Sequence, residues 1–148
     1  MKIQSDNWFN AMNMKSIYIN CDGASRGNPG RAAIGIQIKG EDKKTVLKQH
    51  SEYVGKATNN VAEYLAVLKS LDLAKKFTNQ NVFVYSDSEL LVRQLNGIYQ
   101  VKNKNLKELF NQVQKLQNSF QKVVFTHIRR EYNAIADQLA NDALDRHR

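Results

Sequence analysis

Three strand-patterned runs follow one another with no helix between them, and this constrains the fold more than any other feature of the chain. SIYINC at 16–21 is rich in β-formers, AAIGIQIKG at 32–40 alternates at Ile34, Ile36 and Ile38, and TVLKQHSEYVG at 45–55 follows a polar GEDKK turn. Only then does the apolar period change. Val61, Tyr64, Leu65, Leu68 and Leu71 recur at helical spacing within 60–77. NVFVYS at 81–86 predicts a fourth strand, and 87–95 a second helix that Asn96-Gly97 would end. Leu106, Leu109, Phe110, Val113 and Leu116 mark a third helix, KVVFTHI at 122–128 a fifth strand, and 133–144 a last helix. A three-strand meander followed by strands alternating with helices predicts an α/β domain. Its five-stranded mixed sheet would be antiparallel first, then parallel, and flanked by helices.

With 148 residues, 42% of them hydrophobic, the chain has material for one core. No repeat or Pro/Gly-rich linker divides it, so residues 15–148 read as one domain behind a polar, flexible extension at 1–14. No apolar run approaches the length of a membrane span, and the N-terminus has no apolar stretch of the kind a signal peptide needs. A single cysteine cannot form an internal disulfide, which suits a reducing cytoplasm. Cys21 itself reads as a small core residue. The excess of 22 Lys+Arg over 14 Asp+Glu, net +8, is compatible with a polyanionic partner but also serves solubility.

Acids fall at four element ends. Asp22 closes the first expected strand, Glu63 sits in the first turn of the helix after the third, Asp87 closes the fourth, and Asp137 lies early in the last helix. In open α/β sheets, sites form at the carboxyl ends of strands. If the first, fourth and fifth strands are parallel neighbours, these carboxylates converge, and they would repel one another without a cation between them. Oxygen-only ligands suit Mg²⁺ or Mn²⁺, and no Cys/His spacing suggests zinc. Each acid also has a structural reading. Asn60 with Glu63, and Ser86 with Glu89, fit capping boxes; Asp22-Gly23 fits a turn start; Asp137 fits a solvated charge.

At these residues the sequence resembles the type 1 ribonuclease H family. The matching pieces are DGASRGNPG at 22–30, TNNVAEYLAVLKSL at 58–71, YSDSELLV at 85–92 and NAIADQLANDAL at 133–144, all in the family's order. The resemblance implies a ribonuclease H-like fold. It also implies that Asp22, Glu63, Asp87 and Asp137 are catalytic ligands of two Mg²⁺ ions, with Mn²⁺ as a substitute. The implied activity is endonucleolytic hydrolysis of the RNA strand of an RNA–DNA hybrid, leaving 5′-phosphate and 3′-hydroxyl ends. Asn28, Asn59 and Asn60 would read the RNA 2′-hydroxyl, because an amide both donates and accepts. Thr58, with Lys56 and Asn103, would hold a phosphate of the DNA strand. The glycines behind Asp22 would permit a tight turn and the approach of a nucleic-acid backbone. A monomer that needs no membrane is expected.

The pattern departs from the family in three places. Glu89 stands where many relatives carry glutamine. His127 has the family's spacing to the last acid but lies in an apolar strand, where it reads as a packed side chain. In HIRREYN, Arg130 is instead the candidate to assist catalysis, by charge rather than proton transfer. The segment after Gly97 lacks the basic insertion of some relatives, which leaves grip to dispersed lysines such as Lys102, Lys104 and Lys107. Two rivals remain at this level: a non-catalytic nucleic-acid-binding module, and a related exonuclease or integrase-like nuclease.

Overall fold

The computed structural model describes residues 14–147. Among these, the chain forms β1 (Ser16–Gly27), β2 (Gly30–Lys39), β3 (Val46–Ala57), α1 (Asn59–Ala74), β4 (Asn81–Ser86), α2 (Glu89–Leu95), α3 (Lys104–Gln117), β5 (Lys122–His127) and α4 (Ala134–Arg146). A 3-10 turn at Arg130–Asn133 leads into α4. The sheet order is β3-β2-β1-β4-β5. β1, β2 and β3 pair antiparallel, and β4 and β5 continue parallel to β1, as the hydrophobic periods predict.

Strand alternation sorts the two faces. Ile17, Ile19 and Cys21 of β1 lie opposite Ile38 and Ile36 of β2 and point to one side, where all are buried. Residues of α1 and α3, among them Val67, Leu71 and Val113, complete this core. Each fully buried side chain of this size stabilises the fold by about 1.5–3 kcal/mol. The opposite face of β1 and β2 carries Asp22, Ala24, Ala33 and Gly35. α4 covers it with Ala136, Ala140, Ala143 and Leu144, all buried.

Two glycines let the helices settle closely enough to deliver their acids. A Cβ on Gly23 would lie 2.3 Å from the carbonyl carbon of Ala62 and 2.4 Å from the nitrogen of Glu63, so only glycine admits the α1 backbone there. A Cβ on Gly35, the cross-strand partner of Asp22, would lie 2.1 Å from the carbonyl oxygen of Ala136 in α4. The tight-turn role expected of the glycines behind Asp22 therefore does not hold for Gly23. Its function is helix-to-strand contact.

Several boundaries differ from expectation. β1 does not end at Cys21 but runs on to Gly27, pairing with β2 from Asp22↔Gly35 to Gly27↔Gly30. Its parallel ladder with β4 does stop, at Asn20↔Tyr85, so Asp22 lies just past the carboxyl end of that ladder. The N-cap of α1 is Thr58, whose hydroxyl accepts from the Val61 N–H at 3.2 Å; Asn60 is not the cap. Glu63 therefore falls in the second turn, and the Asn60–Glu63 capping box does not form. The cap of α2 is Ser88, accepting from Leu91 N–H at 3.3 Å, which displaces the expected Ser86–Glu89 box. Of the expected extension, residues 1–13 lie outside the described residues. The Met14 N–H donates to Phe77 O at 3.2 Å.

Candidate active site

Strand order decides what meets. β1 and β4 are parallel neighbours, so Asp22 and Asp87, each two residues past the last pair of their ladder, emerge side by side. The Gly23 contact presses α1 onto β1 and brings Glu63 to the same point. One carboxylate oxygen from each of Asp22, Glu63 and Asp87 lies within 4.8 Å of the others. Asp137, from the first turn of α4, lines the same cavity of about 450 Å³ and is one of the neighbours that raise the Asp22 carboxyl. The Asn141 side-chain amide donates to Asp137 Oδ1 at 3.3 Å. All four acids expected of the site are brought together.

Their electrostatics follow from burial and mutual repulsion. Asp22 is 9% exposed and Glu63 8%. Burial, then the charges of Asp87 and Asp137, push the Asp22 carboxyl up to about 8. Burial raises Glu63 to about 7 even though a hydrogen bond from Ser88 pulls the other way. Among the described residues, no ion pair engages any of the four acids; the arginine of α2, Arg93, pairs with Glu89 at 2.8 Å, and Arg26 with Asp145 at 2.7 Å. Oxygen ligands crowded together without a basic partner, costly to ionise alone, are the donor set that a hard divalent cation fits. Cys21, beside them, is inert: it is 1% exposed and burial pushes its thiol up to about 12.

The expected substrate readers divide. Asn59 lines the cavity beside Glu63. Asn28, in the β1–β2 turn, accepts at Oδ1 from the Asn59 backbone N–H at 3.1 Å, which joins two of the three asparagines and turns the Asn28 Nδ2 away from the bond. Asn60 is exposed in the first turn of α1, and Lys56 is exposed near the end of β3, two residues from Thr58. Asn103 stands apart: it caps α3, accepting from Leu106 N–H at 3.1 Å, and does not line the cavity. Arg130 does line it. His127, expected to be packed, is exposed at the end of edge strand β5 and does not line the cavity. Edge position explains the difference, since β5 pairs only with β4. Glu89 is accounted for by its bond from Arg93 Nε at 2.8 Å on the surface of α2. The sequence assigns no role to Arg26, Ser88, Asn133 or Asn141; each lies inside a quoted motif, but nothing in its spacing marks it.

A model of the reverse transcriptase-like family matches residues 20–143, most of the chain. A ribonuclease HI of Halobacterium salinarum is 37% identical over 125 residues, covering 84% of this chain and 62% of that one. The solved RNase H1 from the same archaeon superposes with a TM-score of 0.85, 35% identity, and coverage of 88% and 98%. The chain belongs to the type 1 ribonuclease H family. An RNase H1 designated LC11, solved in complex with an RNA/DNA hybrid, is similar at 45% identity and TM-score 0.82, with 88% of this chain and 97% of that one covered. A bifunctional protein of Mycobacterium tuberculosis is 41% identical over 129 residues, 87% of this chain, but the match takes in only 35% of that protein. The chain thus spans about a third of the length of its mycobacterial relatives. No helix among the described residues is long and apolar enough to cross a membrane.

Proposed function

We propose that this ribonuclease H family member is a metal-dependent endoribonuclease that hydrolyses the RNA strand of RNA–DNA hybrids, leaving 5′-phosphate and 3′-hydroxyl ends. The observation that carries the reading is the meeting of Asp22, Glu63 and Asp87 within 4.8 Å, with Asp137 beside them, at the floor of an open cavity. A binding module that gripped phosphate would gain nothing from four carboxylates there, because they repel it.

Asp22, Glu63, Asp87 and Asp137 would hold two Mg²⁺ ions, or Mn²⁺ in their place. When bound, such ions supply a water made nucleophilic at neutral pH and charge stabilisation for in-line displacement at phosphorus. The protein's own side chains do the rest. Asp22, whose carboxyl lies nearest the charges of both Asp87 and Asp137, would be the central ligand of the set. Asn28, Asn59 and Asn60 line up on the RNA minor groove and select the strand by its 2′-hydroxyl. The Asn28 oxygen is already used on the Asn59 backbone, so its Nδ2 donates to the hydroxyl. Thr58 uses its oxygen as the α1 cap and keeps its hydroxyl hydrogen for a DNA-strand phosphate. Lys56 adds charge there, and Asn103 would contribute from the more distant start of α3. Arg130, at the cavity wall, neutralises the phosphate by charge; a guanidinium does not shuttle protons near neutrality. With no basic insertion after Gly97, grip depends on dispersed lysines and falls steeply with salt.

The test is a hybrid whose RNA strand carries deoxyribonucleotides at the cut site. The proposal expects cleavage to move away from the substituted linkages, with 5′-phosphate on every downstream product. Equal cleavage at substituted and unsubstituted linkages would refute 2′-hydroxyl selection.

A further inference from the structure

We propose that Asn133 is a positioning residue for the carboxylate site, holding Asp87 against β1 so that divalent ions meet the acids already assembled. The proposal rests on the metal-dependent reading above. Asn133 stands at the N-cap of α4, where an asparagine ordinarily turns its oxygen onto the first free N–H groups of the helix. It makes no such bond. Its side chain turns inward instead, and the residue is 1% exposed.

The inward carboxamide is fully used. Nδ2 donates to Cys21 O at 3.0 Å and to Asp87 Oδ2 at 3.4 Å, and Oδ1 accepts from Asn20 Nδ2 at 3.0 Å. Its orientation is forced, since the Cys21 carbonyl can only accept and therefore demands the nitrogen. One side chain thereby joins β1 at the residue before Asp22, the loop after β4 at Asp87, and the start of α4 one turn before Asp137. Three of the four acids sit on backbone that this amide ties together.

The physical need is specific. Asp87 faces the charges of Asp22 and Glu63, and without a restraint its carboxylate would turn toward solvent. The 3.4 Å bond is long and weak by itself. The two 3.0 Å bonds fix the amide, so the hydrogen offered to Asp87 does not move away. A favoured capping residue at a cap position, buried, not capping, and aimed at a metal-site carboxylate, matches the role of an orienting partner. Loss of such partners typically weakens metal binding by about 10–100-fold.

Calorimetric titration of the full chain with Mg²⁺ at pH 8, at a temperature where melts in EDTA show each protein folded, reads this directly. Asn133→Ala is expected to bind Mg²⁺ at least about tenfold more weakly than wild type. The Mg²⁺ midpoint for hybrid cleavage should rise in parallel, and excess metal should recover part of the rate. A purely structural role would lower the melting temperature and leave the affinity of the folded protein alone. If Asn133→Ala does not fold, Asn20→Ala takes its place; it frees the amide without touching Asp87, with an expected loss of about threefold. A folded variant of either kind with wild-type affinity overturns the proposal. Absence of Mg²⁺ binding by the wild type would instead sink the functional reading on which it rests.

Discussion

Replacing Asp22 by asparagine should make the metal-free protein more stable at neutral pH, and less so as pH falls. In the fold, Asp22 is raised from 3.8 to about 8 by burial and by Asp87 and Asp137. For an acid raised in the folded state, the unfolded chain ionises first. Stability is therefore greatest below pH 3.8 and drains away as pH rises toward 8. At about 1.4 kcal/mol for each pH unit crossed, the wild type loses about 5 kcal/mol to this group between pH 3.8 and 7.5. Asparagine ionises in neither state, and its amide can donate to a neighbouring carboxylate. Asp22→Asn in EDTA should thus gain up to about 5 kcal/mol at pH 7.5, which for a chain of this size raises the melting temperature by about 10 °C or more. At pH 4.5 the gain should shrink to about 1 kcal/mol. Glu63, raised mainly by burial and by Asp87, remains in both proteins and does not alter the comparison. Melts followed by circular dichroism at both pH values, with and without Mg²⁺, provide the assay; Mg²⁺ should stabilise the wild type and narrow the gap. A variant less stable than wild type at pH 7.5, or a gap independent of pH, would refute the reasoning.

Two further outcomes follow from named contacts. Gly23→Ala places a methyl group 2.3 Å from the α1 backbone, so it should destabilise the fold by about 3 kcal/mol or more, measured by urea denaturation, and weaken Mg²⁺ binding by moving Glu63 away from Asp22; wild-type stability would contradict the packing account. Arg130→Ala should lower the cleavage rate on hybrids, whereas His127→Ala, exposed and outside the cavity, should change it less than about threefold; a large loss only in the histidine variant would reverse the assignment.

The sheet was legible because its signals are local. Alternation at Ile34, Ile36 and Ile38 and helical spacing from Val61 to Leu71 need no tertiary knowledge, and with them came the positions of all four acids. What escaped depended on contacts across the fold. The extension of β1 through Ala24, Ser25 and Arg26 has no apolar alternation to announce it; its hydrogen bonds to β2 are the whole signal. In Thr58-Asn59-Asn60 three adjacent residues can each cap a helix, and the choice of Thr58 depends on where β3 ends. Gly23 looked like a turn glycine because nothing local reveals the helix backbone against it. Asn133 merely opens the last expected helix, and its inward turn is decided by Cys21, Asp87 and Asn20, each far away in the chain.

The most direct test of the central claim is cleavage of three end-labelled duplexes, RNA–DNA hybrid, RNA–RNA and DNA–DNA, by the purified chain in Mg²⁺ or in EDTA. The account predicts internal cuts in the RNA of the hybrid with Mg²⁺, none in EDTA, none in plain DNA, and none by Asp22→Asn. Undiminished cutting in EDTA or by Asp22→Asn would contradict it.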